Sequence, residues 1–385
     1  MHFYIHSLPP DAEIRIPPPI TVPLLEICVE LQLPPVKTYS DDVLYNWALK
    51  VPSAQPIPAL DNLRALTLFT GKRDEEEFYL ASARIELRGV DALEIMGATM
   101  DELFVGDELA ARRITRYLHS LVRVIDDLAR LLLAVRNGCD PDTFYHEIRP
   151  WLNGADSGSR SWIFEGLDAH PELPLPTELS GPSAAQSSLI HALDAFLGVN
   201  HTPNPAQTPS LSFPTSPSTS QFGTTFSQTQ TPANANAYAS GVVCSSHVPP
   251  KAPFLTRMRA YMPRHHRNFL RHLSFVPRPL RAEVARMGDA ALTEAYNAAL
   301  DALRRFRDAH LRIVALYIVG PSHRPLTCIP VANAAERCEG QIDMGTAATA
   351  TAMGLLRGTG GTDMVKFLKG ARDHTSEAAL GRDAP

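Results

Sequence analysis

The chain has 385 residues, a net charge of −5 and five cysteines, Cys28, Cys139, Cys244, Cys328 and Cys338, none in a C-x-x-C pair. That length can bury a large core, the mild acidity argues against a nucleic-acid partner, and the scattered cysteines argue against a disulfide framework and a cysteine-built zinc site. No apolar run reaches membrane-spanning length and the start, MHFYIHSLPPDAEIR, lacks the basic and apolar regions of a secretory signal, so a cytoplasmic protein with no membrane partner is expected.

Residues 1–21 are proline-rich and read as extended. Val22 to Leu33 reads as a short amphipathic helix, Tyr39 to Leu49 as a second one opened by Ser40, and Leu63 to Phe69 as a strand ended by Thr70-Gly71. From Glu77 the pattern is helical: Phe78, Ala81, Ser82, Ile85 and the stretch Leu87 to Met96 make one mostly buried helix. Leu109 to Val135 carries the stripe Ile114, Leu118, Leu121, Ile125, Leu128, Leu132 and Val135, with Asn137-Gly138 as its cap. Asp142 starts a helix toward Trp151, Gly154 to Gly181 is loop-rich, and Ser183 to Leu197 is helical. Ala195 to Pro250 contains no Asp, Glu, Lys or Arg and is rich in Ser, Thr, Pro, Gln and Asn. Such a composition cannot assemble a packed core, so residues 200–250 read as a disordered insertion.

Order resumes near Phe254 and leads into the longest amphipathic segment, ALTEAYNAALDALRRFRDAHLRIVALYIV, Ala291 to Val319. Gly288-Asp289 open it and Gly320-Pro321 stop it. Leu300, Leu303, Phe306, His310, Ile313, Val314 and Tyr317 share one face, with Arg304, Arg305, Arg307 and Asp308 largely opposite. His310 therefore faces the core, either as a satisfied core histidine or as a ligand. Residues 321–357 read as irregular, and Met364 to Arg372 as a final helix. The expected organisation is a predominantly all-α fold: 1–21 before the domain, 22–199 and 251–375 as its two parts, 200–250 between them, and 376–385 as a tail.

Four stretches bear on chemistry. In FYHEIRPWLNG, Phe144 to Gly154, Tyr145, Arg149 and Leu152 share a face. A guanidinium beside apolar rings suits a bidentate carboxylate contact; a structural ion pair is the alternative. GPSAAQSS, Gly181 to Ser188, approaches a nucleophile elbow at Ser183, but no strand pattern precedes it, and capping by Ser183 explains it as well. GTGGT, Gly358 to Thr362, could turn backbone N–H groups toward an anion, yet lacks the lysine of a nucleotide loop. His265 and His266 point to different faces and make poor joint metal ligands.

Taken in order, FYHEIRPWLNG, GPSAAQSS with HALDAFLG, YMPRHHRNFL, AHLRIVALYI and GTGGTD, together with LQLPPVKTYSDDVLYNW and EFYLASARIE, resemble the indoleamine 2,3-dioxygenase family over about residues 15–199 and 252–375. The resemblance implies a large helical haem-binding domain that opens the indole ring of tryptophan with O₂ to give N-formylkynurenine, with haem b, its iron ferrous, as cofactor and a monomer as the working form. It makes His310 the iron ligand and pairs Arg307 with Asp194. It sets Ser183 and Ala184 close to the haem. Tyr39, Val43, Phe78 and Ser82 would line the indole side, Phe144 would pack on the ring, Arg149 would hold the carboxylate, and Thr359 would help bind the amino-acid end. The chemistry is the cofactor's, so no catalytic acid or base is expected.

The chain departs from the pattern at Asp42, where a small or thiol residue is usual, at Pro182, which replaces a glycine, and before the proline-rich connector, where about fifteen residues stand in place of a small domain. That last departure feeds an alternative, a catalytically impaired haem- or indole-binding regulatory homologue. A Ser183 hydrolase is a third.

Overall fold

Asp107 starts the longest helix by accepting a hydrogen bond on its side chain from the backbone N–H of Ala110. In the computed structural model, which describes residues 1–9, 11–55, 57–157, 160–201, 252–324 and 363–381, that helix, α5 (Glu108–Ala134), runs beside α11 (Ala290–Val314), which Asp289 caps in the same way through the N–H of Leu292. Ile114, Leu118, Leu121, Ile125 and Leu128 of α5 meet Leu292, Tyr296, Leu300 and Leu303 of α11 in the main apolar core. The fold is predominantly α-helical. Around this pair stand α3 (Arg73–Arg88), α4 (Val90–Val105), α7 (Ser188–Leu197), α9 (Arg264–Ser274), α10 (Leu280–Met287) and α12 (Met364–Glu377); α8 (Phe254–Met258) precedes α9. Among the described residues no helix is long and apolar enough to cross a membrane.

A second apolar cluster gathers Tyr79, Phe144, Tyr145, Ile148, Leu152, Val314, Tyr317, Ile318 and Leu368. A third joins the start of the chain to residues 162–179: β1 (Ile14–Ile16) pairs in parallel with β4 (Trp162–Phe164), and Ile5, Ile14, Ile16, Phe164 and Tyr261 pack there. The described residues of Met1–His201 and Phe254–Pro385 form one unit.

Several sequence expectations change. Residues 1–21 are not one extended run: α1 (His2–Ser7) is helical and α2 (Pro18–Leu31) starts four residues before the expected Val22, because proline at a first helical turn loses no hydrogen bond there. The helix expected over Tyr39–Leu49 is a five-residue π-helical turn, Ser40–Leu44, followed by β2 (Trp47–Leu49), which pairs antiparallel with β3 (Leu63–Ala65). The single helix expected from Glu77 to Met96 is two, broken at Gly89, where a Cβ would stand 2.2 Å from Cδ2 of Leu189. Val135–Asn137 ends α5 as a 3₁₀ turn, and Gly138 does not take the left-handed form of a capping glycine. The helix expected from Asp142 is α6 (Pro141–Thr143), capped by Asp140, then a π-helical turn Phe144–Ile148 and a 3₁₀ turn Arg149–Leu152. Arg307, assigned by spacing to the outer side of α11, is buried. Nearly all of the insertion at 200–250, most of 321–357 and all of Gly358 to Thr362 lie outside the described residues.

Candidate functional site

His310 occupies the point on α11 where the helix changes neighbours. Up to Phe306 its apolar residues belong to the main core; from Leu311 onward they pack into the second cluster with Phe144 and Tyr317. The imidazole keeps accessible surface and makes no hydrogen bond among the described residues. Burial, followed by the neighbouring Arg307 guanidinium, pushes its pKa down to about 4. The ring is therefore neutral at physiological pH, with a lone pair available to a metal.

One turn earlier, Arg307 ties three helices together. Its Nη2 lies 2.5 Å from Asp194 Oδ1 on α7. Its Nη1 donates to Oγ1 of Thr375 on α12, whose own hydroxyl donates to the Ala371 carbonyl. The other Asp194 oxygen lies 2.8 Å from Nε2 of His201, and His201 Nδ1 lies 3.4 Å from His374 Nδ1. Burial works to raise the pKa of Asp194; the Arg307 charge and the His201 contact more than offset it, and the carboxyl sits below its ordinary range. His201, His374 and Thr375 carry no motif, so sequence reading did not reach them.

The aromatic side is built from α3 and the 141–152 segment. Phe78 and Phe144 lie 4.4 Å apart between ring centroids, and Phe144 meets Tyr317 edge-on at 5.6 Å. Tyr317 is two turns beyond His310 on the same continuous helical segment, and its hydroxyl donates to the Cys139 carbonyl at 2.6 Å. Arg149 is half-buried, its guanidinium 5.2 Å from the Tyr145 ring centroid; burial lowers its pKa. The FYHEIRPWLNG and GPSAAQSS stretches meet backbone to backbone: a Cβ on Gly154 would stand 2.1 Å from the Leu179 carbonyl oxygen, and one on Gly181 the same distance from that of Leu152. Only glycine permits that crossing.

Tyr39 and Val43 form a small buried cluster with Ala83. The Tyr39 hydroxyl donates to Glu86 Oε1 at 2.9 Å, and its backbone N–H donates to Gln186 Oε1 at 2.8 Å. Ser82 is half-buried one turn before Glu86 on α3. Sequence reading missed Glu86, although it stands four residues after Ser82 in EFYLASARIE, a spacing that places both on one face.

Ser183 is half-buried with extended backbone, and its Oγ accepts from the Ala185 N–H at 3.3 Å, starting the short 3₁₀ turn Ala184–Gln186. Ala184 is exposed. No strand leads into Ser183, so the elbow geometry is absent and the hydroxyl caps a turn. Thr359 lies outside the described residues. Asp42 is buried and stands 2.9 Å from Lys37 Nζ, itself buried, although Nζ donates no well-directed hydrogen bond there. Burial raises the Asp42 pKa to about 6 against the opposing pull of Lys37. Lys37 and Asp42 line a cavity of about 460 Å³ beside α1, α2 and Phe69. None of the residues assigned to the haem or indole lines that cavity, which therefore lies apart from the candidate site.

The described part of the site thus offers a neutral imidazole, a buried cation one turn away, an aromatic wall and a half-buried guanidinium. Residues 1–378 match the sequence profile described as indoleamine 2,3-dioxygenase. The chain is 32% identical to the indoleamine 2,3-dioxygenase of Saccharomyces cerevisiae, over 98% of this chain and 76% of that protein. It is 29% identical to mouse indoleamine 2,3-dioxygenase 1, over 96% and 75%, and 28% identical to a 6-hydroxytryptophan 2,3-dioxygenase of Fusarium equiseti, over 98% and 78%.

Proposed function

The chain belongs to the indoleamine 2,3-dioxygenase family, and on that premise we propose that it is a haem-dependent dioxygenase that inserts both atoms of O₂ across the C2–C3 bond of the indole of tryptophan or a related indoleamine. The product from tryptophan is N-formylkynurenine. The single observation that carries the reading is His310: a neutral imidazole that keeps accessible surface, without a hydrogen-bond partner among the described residues, one turn from the buried Arg307–Asp194 pair.

The residues present fit the cofactor. An imidazole must be unprotonated to bind iron, and burial with Arg307 keeps His310 so down to about pH 4, so His310 is the residue that would hold it. Arg307, paired with Asp194 and Thr375 one turn before His310, fixes α11 against α7 and α12 beside the site. When bound, ferrous haem supplies the activation of O₂.

The chain's own residues bind and orient. Arg149 takes the amino-acid carboxylate through charge-assisted hydrogen bonds; the loss of hydration already suffered by its guanidinium strengthens that pairing. Phe144 and Phe78 present ring faces and edges to the indole, and Tyr39, Val43 and Ser82 close its side. The wall would exclude water and fix the orientation of the indole C2–C3 bond. Substrate and O₂ sum to the product without net gain or loss of a proton.

The test is purification with added haem. A Soret band, a ferrous spectrum that shifts with tryptophan, and growth of N-formylkynurenine absorbance under reducing conditions are expected. Absence of haem binding overturns the reading; haem binding without product points to a regulatory homologue.

A further inference from the structure

We propose that Glu86 is a positioning residue that couples the wall carrying Tyr39 to the helix carrying His310. The inference rests on the haem-dependent reading above. Glu86 Oε1 accepts two hydroxyl hydrogen bonds at once, from Tyr39 at 2.9 Å and from Ser187 at 2.6 Å. Burial raises the Glu86 pKa, opposed by those two hydroxyls. No cation pairs with it among the described residues. A largely enclosed carboxyl normally recruits a cation; this one is held by neutral donors from two different segments.

Those segments lead to the two halves of the site. Tyr39 opens the turn that carries Val43, and Glu86 shares its face of α3 with Ser82 and Phe78. Ser187 is the N-cap of α7, accepting from the Ile190 N–H at 3.5 Å. The adjacent Gln186 holds the Tyr39 backbone from the other side. From its cap, α7 runs to Asp194, which pairs with Arg307, one turn from His310. A continuous path of direct contacts therefore joins Tyr39, Glu86, Ser187, α7, Asp194 and Arg307. Moving the Tyr39 ring must move the start of α7 or break a hydrogen bond.

The experiment compares Glu86→Gln, Glu86→Ala and Tyr39→Phe in the haem-loaded protein, reading tryptophan affinity by spectral titration and KM separately from kcat. Glu86→Gln keeps an acceptor oxygen and is expected within about threefold of the parent in all three. Glu86→Ala removes both hydroxyl hydrogen bonds that the carboxyl accepts and should raise the dissociation constant and KM by at least about tenfold, with kcat within about threefold and the Soret band retained. Tyr39→Phe added to Glu86→Ala should cost clearly less than Tyr39→Phe costs alone, since the Tyr39–Glu86 bond is already cut. Additive losses, or a Glu86→Ala protein with parental tryptophan affinity, overturn the proposal. Where Glu86→Ala fails to fold, the cycle is run between Tyr39→Phe and Ser187→Ala; non-additive losses support the coupling and strict additivity overturns it. In the apoprotein, the near-ultraviolet tyrosine band should differ between parent and Glu86→Ala but not between the two Tyr39→Phe backgrounds. That readout needs no haem, so a chain that failed to bind haem would sink the functional reading while leaving the Glu86 contact separately decided.

Discussion

If His310 holds the iron as proposed, replacing it by alanine should abolish haem retention. Full Soret intensity in that variant would refute the proposed ligand role. Replacing Arg149 by alanine should leave the Soret band intact and weaken tryptophan binding by roughly ten- to a hundredfold, the loss of a charge-assisted pair; unchanged affinity in a spectral titration would show the guanidinium to be structural. Asp42 gives the pH prediction. Its folded carboxyl holds its proton up to about pH 6, above the usual value of 3.8, so the folded state binds more protons than the unfolded state between those values. Stability from this group is thus greatest below about pH 4 and falls as pH rises through 6. Asp42→Asn should flatten that part of a denaturation profile. Asp42→Ala at neutral pH should destabilise by about 3–5 kcal/mol by leaving Lys37 buried and unpaired, and adding Lys37→Met should recover most of it.

At the scale of elements, sequence periodicity located what depends on one face of one helix. The stripe Ile114–Leu128 is the buried face of α5, and the Leu300–Phe306 stretch of α11 lies in the same core. Periodicity failed where a contact distant in sequence decides the conformation. Tyr39–Leu49 has helical spacing, but β3 captures Trp47–Leu49 as a strand partner. Arg307 falls on the polar side of a helical wheel, yet Asp194 and Thr375 make its burial tolerable. The glycines of FYHEIRPWLNG and GPSAAQSS could be recognised as motif members, but not as the two sides of one backbone crossing. Gly154→Ala tests that crossing: a methyl 2.1 Å from a carbonyl oxygen must force the two segments apart, and a loss of more than about 3 kcal/mol is expected in chemical denaturation. A loss below 1 kcal/mol would mean the segments separate freely. Asp194→Ala tests the Arg307 node. An uncompensated buried guanidinium should cost about 3–5 kcal/mol and loosen haem binding, read as faster haem transfer to apomyoglobin, whereas Asp194→Asn, which keeps an acceptor, should lose less.

At the scale of the whole molecule, haem binding and folding should be one equilibrium. His310 and Arg307 lie at the junction of the two largest described apolar clusters, and the helix that carries them contributes residues to both. A macrocycle bound there would be held only by the folded chain, since the node requires α7, α11 and α12 together. Ligand that binds the native state alone stabilises it by RT ln(1 + [L]/Kd), about 2.7 kcal/mol at a hundredfold excess over Kd. For a domain of this size that corresponds to a rise of several degrees in thermal midpoint, increasing with free haem concentration. His310→Ala should show a midpoint independent of added haem, and Asp194→Ala should sit between it and the parent. A haem-dependent rise preserved in full in the His310 variant would mean that the stabilising haem binds elsewhere on the chain, and the assignment of this junction would fall with it.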